Sequence, residues 1–594
     1  MENKAIVKSR QIVRIAPGWV LRKLSNRQFL MVGAVAVGLW AGVTAVLLKV
    51  SVHALQTWLT SLGQQYGWIY FVSPTLGILG TFLFIKWFLN GKLARGTSHV
   101  LLAIAKKSSF LPRKDVFGHV ATSALTVGMG GSAGLESPIV QTGSAIGSTF
   151  ASFFPLGYRD RTLLLACGAA AGIATAFNAP IAGVLFALEV LLVDVSISAF
   201  IPLLIAGATG ALCSKIILAD GILLSFKQVS EFNYHNVPYY VLLGIACGLF
   251  SVFYLRTFLS AEAAFARAVK SEWLRLVVGC TLLGALIVMV PALFGEGYAS
   301  ITALALFKPA ELFHGSPMQS VIAETAWSVG VAVLFVGLVK VFAVSLTLGA
   351  GGNGGNFAPA LLVGACLGFS FSFLLNSTGL TQLPTSNFCL VAMAGVLTGI
   401  FHAPLTGIFL IAEITGGYDL IIPLMLVSAL STAVSRYLHP RSLDEEKLAG
   451  SHQAIAFDKD AHVLSSLSLA GFIEHDFVGV KANARLRTLV DAVAHSKRNI
   501  FPVTDEQNTL VGIIGLEDVR EIMFDTSLYD SISVDQLMQK PRVTATTADD
   551  MGTVMEKFDK SGLWNIPVVD NGKYVGFISK SRVFSNYREK LRND

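Results

Sequence analysis

The chain has 594 residues, 53% hydrophobic and 14% charged, with a net charge of +7 and a mean hydropathy of +0.62. That length is too great for one soluble core, and that hydropathy excludes a wholly water-soluble fold. The basic excess does not mark a nucleic-acid binder, because seven Lys/Arg against one Glu sit in residues 1–28 without aromatic–basic interleaving.

Residues 1–28 stay polar and basic for too long to be a cleavable signal, and the positive-inside rule puts this end in the cytoplasm. Of the 83 charged residues, 41 fall in residues 1–440 and 42 in residues 441–594, about 9% and about 27% of each part. A membrane domain over 29–440 followed by a soluble tail explains that step. Phe29–Leu48, Leu163–Leu188, Leu276–Gly295 and Val341–Ala412 are uncharged and long enough to span a bilayer as helices, the last more than once. Membrane lipid is therefore the first partner.

Residues 128–148, GMGGSAGLESPIVQTGSAIGS, run from glycines through Gly134-Leu135-Glu136-Ser137-Pro138 into an apolar stretch. Pro138 suits the first turn of a helix, and the free N–H groups of such a start attract an anion. An acid at mid-membrane costs about 2.5–3.5 kcal/mol, so Glu136 is not expected in a dry interior. At a helix start facing a pore its carboxylate occupies the anion site, competes with a permeating anion and leaves when protonated: a gate. A plain helix cap is the simpler alternative.

Residues 177–189, FNAPIAGVLFALE, return as FHAPLTGIFLIAE at 401–413, an offset of 224 positions. Gly355-Asn356-Phe357-Ala358-Pro359 likewise echoes the G-x-x-x-P of residues 134–138. Gly/Pro-interrupted segments at matching places in two halves point to a transport site at the repeat interface. In the second copy no charge is near, so an anion there is held by N–H dipoles, weakly enough to leave again. A phosphate-cradling loop fits poorly, since the Lys-Ser/Thr of a P-loop is missing. Tight helix packing is the bland alternative for both loops.

After Pro440 the composition turns polar. Residues 441–475 read as a linker, then two similar α/β units follow at 476–530 and 531–594, marked by NIFPVTDEQNTLVGIIGLEDV and NIPVVDNGKYVGFISKSRV. The six cysteines lie in or beside apolar segments without metal-ligand spacing and read as buried thiols. His53, His99 and His402 are isolated, and no nucleophile–base pair appears, so an enzyme is not expected.

Taken together, GLESP, GNFAP and FNAPIAGVLFALE resemble the CLC family of chloride channels and chloride/proton antiporters, and the tail resembles a CBS-domain pair. The resemblance implies an all-α polytopic membrane domain with inverted repeats, a cytoplasmic α/β CBS pair, and a homodimer with one chloride pathway per subunit. It implies that Glu136 is the gating glutamate. Amides around Leu135 and Ser137 would bound an outer anion site, and those of Gly355, Asn356 and Phe357 a central one. Thr97 falls where the family carries an anion-binding serine, with Ser98 next in line; a helix cap serves equally for either. No cofactor is required beyond the transported chloride.

Three departures bear on mechanism. The inner proton-carrying glutamate of many antiporters is Val190 here, as in the channel branch, which favours a passive channel gated by Glu136 over the alternative, proton-coupled exchange. The central tyrosine is replaced by Asp444, which as an acid is expected to lie away from the anion site, leaving nearby Tyr437 as a substitute. Glu189 and Glu413, one residue off the proton position and its repeat, read as structural. In the tail, adenine nucleotide is a candidate ligand, but each unit holds half a motif: Asp518 without a partner hydroxyl, Ser579 without the acid. A purely structural or dimerising role is the favoured reading. A membrane-tethered nucleotide sensor that transports nothing is the outsider.

Overall fold

The computed structural model describes residues 25–91, 93–106, 109–192, 197–218, 231–319, 326–450 and 469–585. The basic segment through residue 24 and residues 451–468 of the expected linker lie outside the described residues. The chain divides into two compact units, Met1–Ala454 and Ile455–Asp594.

In the first unit the helices are Asn26–Gln65 (α1), Ile69–Phe88 (α2), Thr97–Lys106 (α3), Lys114–Gly128 (α4), Glu136–Ser152 (α5), Tyr158–Phe177 (α6), Pro180–Phe186 (α7) and Ile197–Leu218 (α8). Then come Val237–Ala268 (α9), Glu272–Met289 (α10), Tyr298–Ala305 (α11), Ala326–Gly349 (α12), Phe357–Ser377 (α13), Thr385–Phe401 (α14), Pro404–Ile414 (α15), Ile421–Leu438 (α16) and Leu443–Gly450 (α17). Nine helical spans among the described residues are long and apolar enough to cross a membrane. Local signals place their ends. Ser25 and Gln28 form a capping box at α1, and Pro180 and Pro404 open α7 and α15, where a missing N–H is harmless. The preceding helices α6 and α14 both end on a left-handed residue, Asn178 (φ 51°) and His402 (φ 55°).

A two-fold relation organises this unit. Helix α1 packs on α8 as α9 packs on α16, and α5 packs on α6 as α13 packs on α14. The loops before α5 and α13 brace each other reciprocally. Ser132 N–H donates to Thr347 Oγ1 at 3.1 Å, and Asn353 N–H to Thr126 Oγ1 at 3.0 Å. Gly134 and Gly355 exchange both backbone bonds, at 2.9 and 2.8 Å, as an antiparallel bridge. Such head-to-head pairing is what an inverted repeat produces when its two interrupted helices meet at mid-membrane.

The second unit holds two three-stranded sheets: Val480–Lys481 (β1), Ile500–Thr504 (β2), Leu510–Gly515 (β3), and Ala545–Thr546 (β4), Asn565–Asp570 (β5), Lys573–Ser579 (β6). Each has one parallel and one antiparallel pairing. Helices Leu486–His495 (α18), Leu516–Val519 (α19), Val534–Leu537 (α20) and Met551–Ser561 (α21) complete it. Both middle strands break register at the same place, after Val503 and after Val568. Each sheet covers its own apolar core, around Phe501 and Ile514 in one and Phe558 and Ile578 in the other. The sheets join through Leu510 N–H to Gly572 O (3.2 Å) and Tyr574 N–H to Asn508 O (2.9 Å).

Candidate functional site

The Gly134–Gly355 bridge aims the starts of α5 and α13 at one place. Side chains are poorly accommodated at both glycines: a Cβ at Gly355 would lie 2.6 Å from Ser137 Cβ, and one at Gly134 would lie 2.3 Å from Glu136 Oε2 and push that carboxylate aside. Beside the bridge is a cavity of about 120 Å³, room for several waters or an ion with part of its shell. Glu136, Ser137, Gly355, Asn356, Phe357 and Thr97 all face it. Thr97 Oγ1 and Ser137 Oγ lie 3.3 Å apart. The first amides of α5 and α13 have no carbonyl one turn back, so they are the donors such a cavity offers an anion. Aromatic rings close it: Phe357 packs on Phe177 and Phe401, each with centroids 5.7 Å away.

Glu136 is 1% exposed. Its Oε1 accepts a short hydrogen bond from the Tyr298 hydroxyl, and its Oε2 is buried without a partner. Glu136 thus puts a carboxylate with one oxygen free at a helix start facing the cavity.

The remaining expected residues divide. Ser98 and Leu135 do not line the cavity. The Leu135 amide is already used, donating to Glu296 Oε1 at 3.2 Å. Val190 lies half-buried in the wide turn Ala187–Leu191, packed against the apolar core and off the cavity wall. Glu189 takes the amides of Leu405 and Thr406, at 2.9 and 2.7 Å, while Glu413 takes those of Ile181 and Ala182, at 3.1 and 2.9 Å. Each repeat's terminal glutamate thus caps the other repeat's proline-started helix, a structural use for both.

Two expectations need correction. Asp444 does not lie away from the site: it lines the same cavity as Glu136. Helix α17 packs on α3, whose first residue Thr97 lines the cavity too. Counting charge alone missed this, because a helix start accepts a carboxylate as readily as an anion. Tyr437 is 87% exposed and substitutes for nothing there.

Four residues went unremarked in the sequence. Tyr298 and Glu296 hold Glu136 and the Leu135 amide. The buried Lys340 Nζ donates to the Gly295 (2.9 Å) and Leu293 (3.4 Å) carbonyls, fixing the loop that carries both. Lys49 Nζ donates to Ala176 O at 2.5 Å and stands 5.3 Å from the Tyr298 ring. For Glu296, Lys340 and Lys49 the signal available was charge: a lone ionisable residue among apolar neighbours in a membrane segment is a functional candidate by default.

In the tail, Asp518 spends its carboxylate locally, on Gly515 N–H (2.8 Å) and Gln539 Nε2 (2.9 Å). Ser579 Oγ accepts from Arg582 N–H at 3.2 Å. Both sit at helix starts. Outside the membrane domain, the Arg498 guanidinium on Asp476 holds that carboxyl below its usual range.

A family model described as Voltage gated chloride channel matches residues 76–436, and one described as CBS domain matches residues 470–525 and 534–589. The chain is 29% identical over 404 residues to a ClcB-like protein of Ralstonia nicotianae, covering 66% of this chain and 90% of that one. It is 30% identical over 335 residues to the H(+)/Cl(-) exchange transporter ClcA of Cronobacter sakazakii, covering 54% and 67%. Among solved structures, its fold resembles that of a slow cyanobacterial Cl-/H+ antiporter with a TM-score of 0.61 at 22% identity, covering 72% of this chain and 98% of that one. With its paired repeats, facing helix starts and two-unit tail, the chain is an integral membrane protein that belongs to the CLC family of voltage-gated chloride channels and related transporters, and carries a CBS-domain pair.

Proposed function

We propose that this protein exchanges chloride for protons, with Glu136 both gating the anion path and carrying the proton. The observation that carries this reading is the state of Glu136: buried in the cavity, held by Tyr298 on one oxygen and unpartnered on the other. A carboxylate so placed excludes an anion when charged and makes room when protonated, so one group links both ions. Relatives named as exchange transporters support the same reading. Passive conduction, which Val190 favoured, ranks second, because Glu136 needs only water access to receive a proton from either side.

The same reading assigns a homodimer with one cavity per subunit, an amino terminus and tail in the cytoplasm, and a structural rather than nucleotide-binding role for the CBS pair. The local use of Asp518 and Ser579 supports the last point.

The test is reconstitution of the whole protein in liposomes under a chloride gradient, following chloride and external pH together. Exchange predicts that the chloride gradient drives protons uphill and that Glu136→Gln abolishes proton movement while chloride still flows. Chloride moving only when a potassium ionophore relieves the voltage, with pH flat, would establish a passive path instead.

A further inference from the structure

We propose that Asp444 is a second proton-binding gate in the cavity that Glu136 lines, its carboxylate turning an entering anion away when charged. The proposal rests on the reading of this cavity as an anion path, and deepens it.

Asp444 is the second residue of α17 and is 8% exposed. Its Oδ2 is buried with no hydrogen-bond partner, and its helix packs on α3, whose first residue Thr97 lines the same cavity. The charged and titratable groups around it are Lys447 and Glu445 on its own helix, Glu262 of α9, Arg95 ahead of α3, His99 on α3 and Glu136 of α5. Neither lining cation pairs with it. Lys447 Nζ is bound to Glu262 at 3.1 Å, and the Arg95 guanidinium donates to Gly352 O at 3.1 Å. The Glu262–Lys447 pair is partly exposed, 36% and 23%, so protons reach this end of the cavity from solvent.

The chemistry follows from charge and donor count. Ionised, Asp444 is acceptor-only and repels an anion from the cavity. Protonated, it is neutral and offers its own O–H to the anion. The proton comes from water at the Glu262–Lys447 end and returns there as the anion leaves. Anion entry from this end is then linked to uptake of one proton, in a chain whose Val190 supplies no carboxylate.

The experiment uses the full chain with Glu136→Gln, so that Glu136 no longer titrates. Chloride flux is followed across about pH 5–8 with the voltage shunted by a potassium ionophore, a readout that needs no exchange. Above its midpoint, flux at low chloride should fall about tenfold per pH unit, as the competent fraction does. Adding Asp444→Asn, which keeps the shape of the side chain but cannot ionise, should flatten the curve. A curve already flat in Glu136→Gln, or an unchanged slope after Asp444→Asn, overturns the proposal. Should the double variant not fold, calorimetry of chloride binding to the Glu136→Gln protein in buffers of different ionisation enthalpy decides instead. Uptake of about one proton per chloride is expected, and zero uptake overturns it. A wild type that moves no protons would sink exchange alone, because the shunted flux still scores Asp444.

Discussion

In the first half of the membrane domain Gly131 N–H bonds the Thr126 carbonyl at 2.8 Å; in the second half Gly352 N–H bonds the Thr347 carbonyl at 3.0 Å. Threonine hydroxyls, bridging glycines and capping glutamates recur in the same places. The two loops part company at the first helical position: Glu136 opens α5 and Phe357 opens α13. Around them the partners differ too, since Tyr298 donates to the Glu136 carboxylate and Tyr254 to the neutral Asn356 Oδ1 at 2.9 Å. Backbone and hydroxyl bonds therefore build one frame twice, and a single ionisable side chain at the first helical position tells the two copies apart.

The frame can be broken at its helix crossings. Where α5 meets α6, a Cβ on Gly147 would stand 2.1 Å from Leu164 O. Where α13 meets α14, one on Gly368 would stand 2.2 Å from Phe388 O. Both obstacles are backbone, so the helices must move apart. Gly147→Ala and Gly368→Ala should each cost about 1–3 kcal/mol or more, read as earlier loss of the monodisperse peak on heating in detergent. One variant tolerated and the other not would mean that the two crossings are not equivalent.

Both G-x-x-x-P loops and the FNAP/FHAP repeat were legible in the sequence. Each is a local pattern with a local cause. What stayed hidden is long-range. Nothing near Glu136 in the chain announces Tyr298, and nothing near Thr97 announces Asp444, because those residues meet only once α11 and α17 have docked. Asp444 was misplaced for a second reason. Repulsion between an acid and an anion was treated as a bar to proximity, whereas Asp444 lines the cavity.

The caps offer a milder test. Glu189→Gln and Glu413→Gln each remove the charge from a carboxylate holding two amides of the other repeat. Each should cost about 1–2 kcal/mol of stability by the same heating assay, with the proton-to-chloride ratio of transport unchanged. If Glu189→Gln alone uncoupled protons from chloride, Glu189 would belong to the proton path, and its likeness to Glu413 would be one of position only.

The finest comparison is between the two tyrosines. Tyr298→Phe removes a hydroxyl donor that favours the ionised form of Glu136, so protonation of the gate becomes easier. The curve of chloride flux against pH should move toward higher pH in this variant. Tyr254→Phe removes a donor from an amide oxygen that carries no charge. It should loosen the start of α13 and weaken chloride binding by at most about fivefold, leaving the midpoint of the pH curve in place. Equal pH shifts in both variants would mean that the tyrosines act through the shape of the cavity. A shift confined to Tyr298→Phe would locate the acid response of this end at the Glu136 carboxylate, where the two halves first differ.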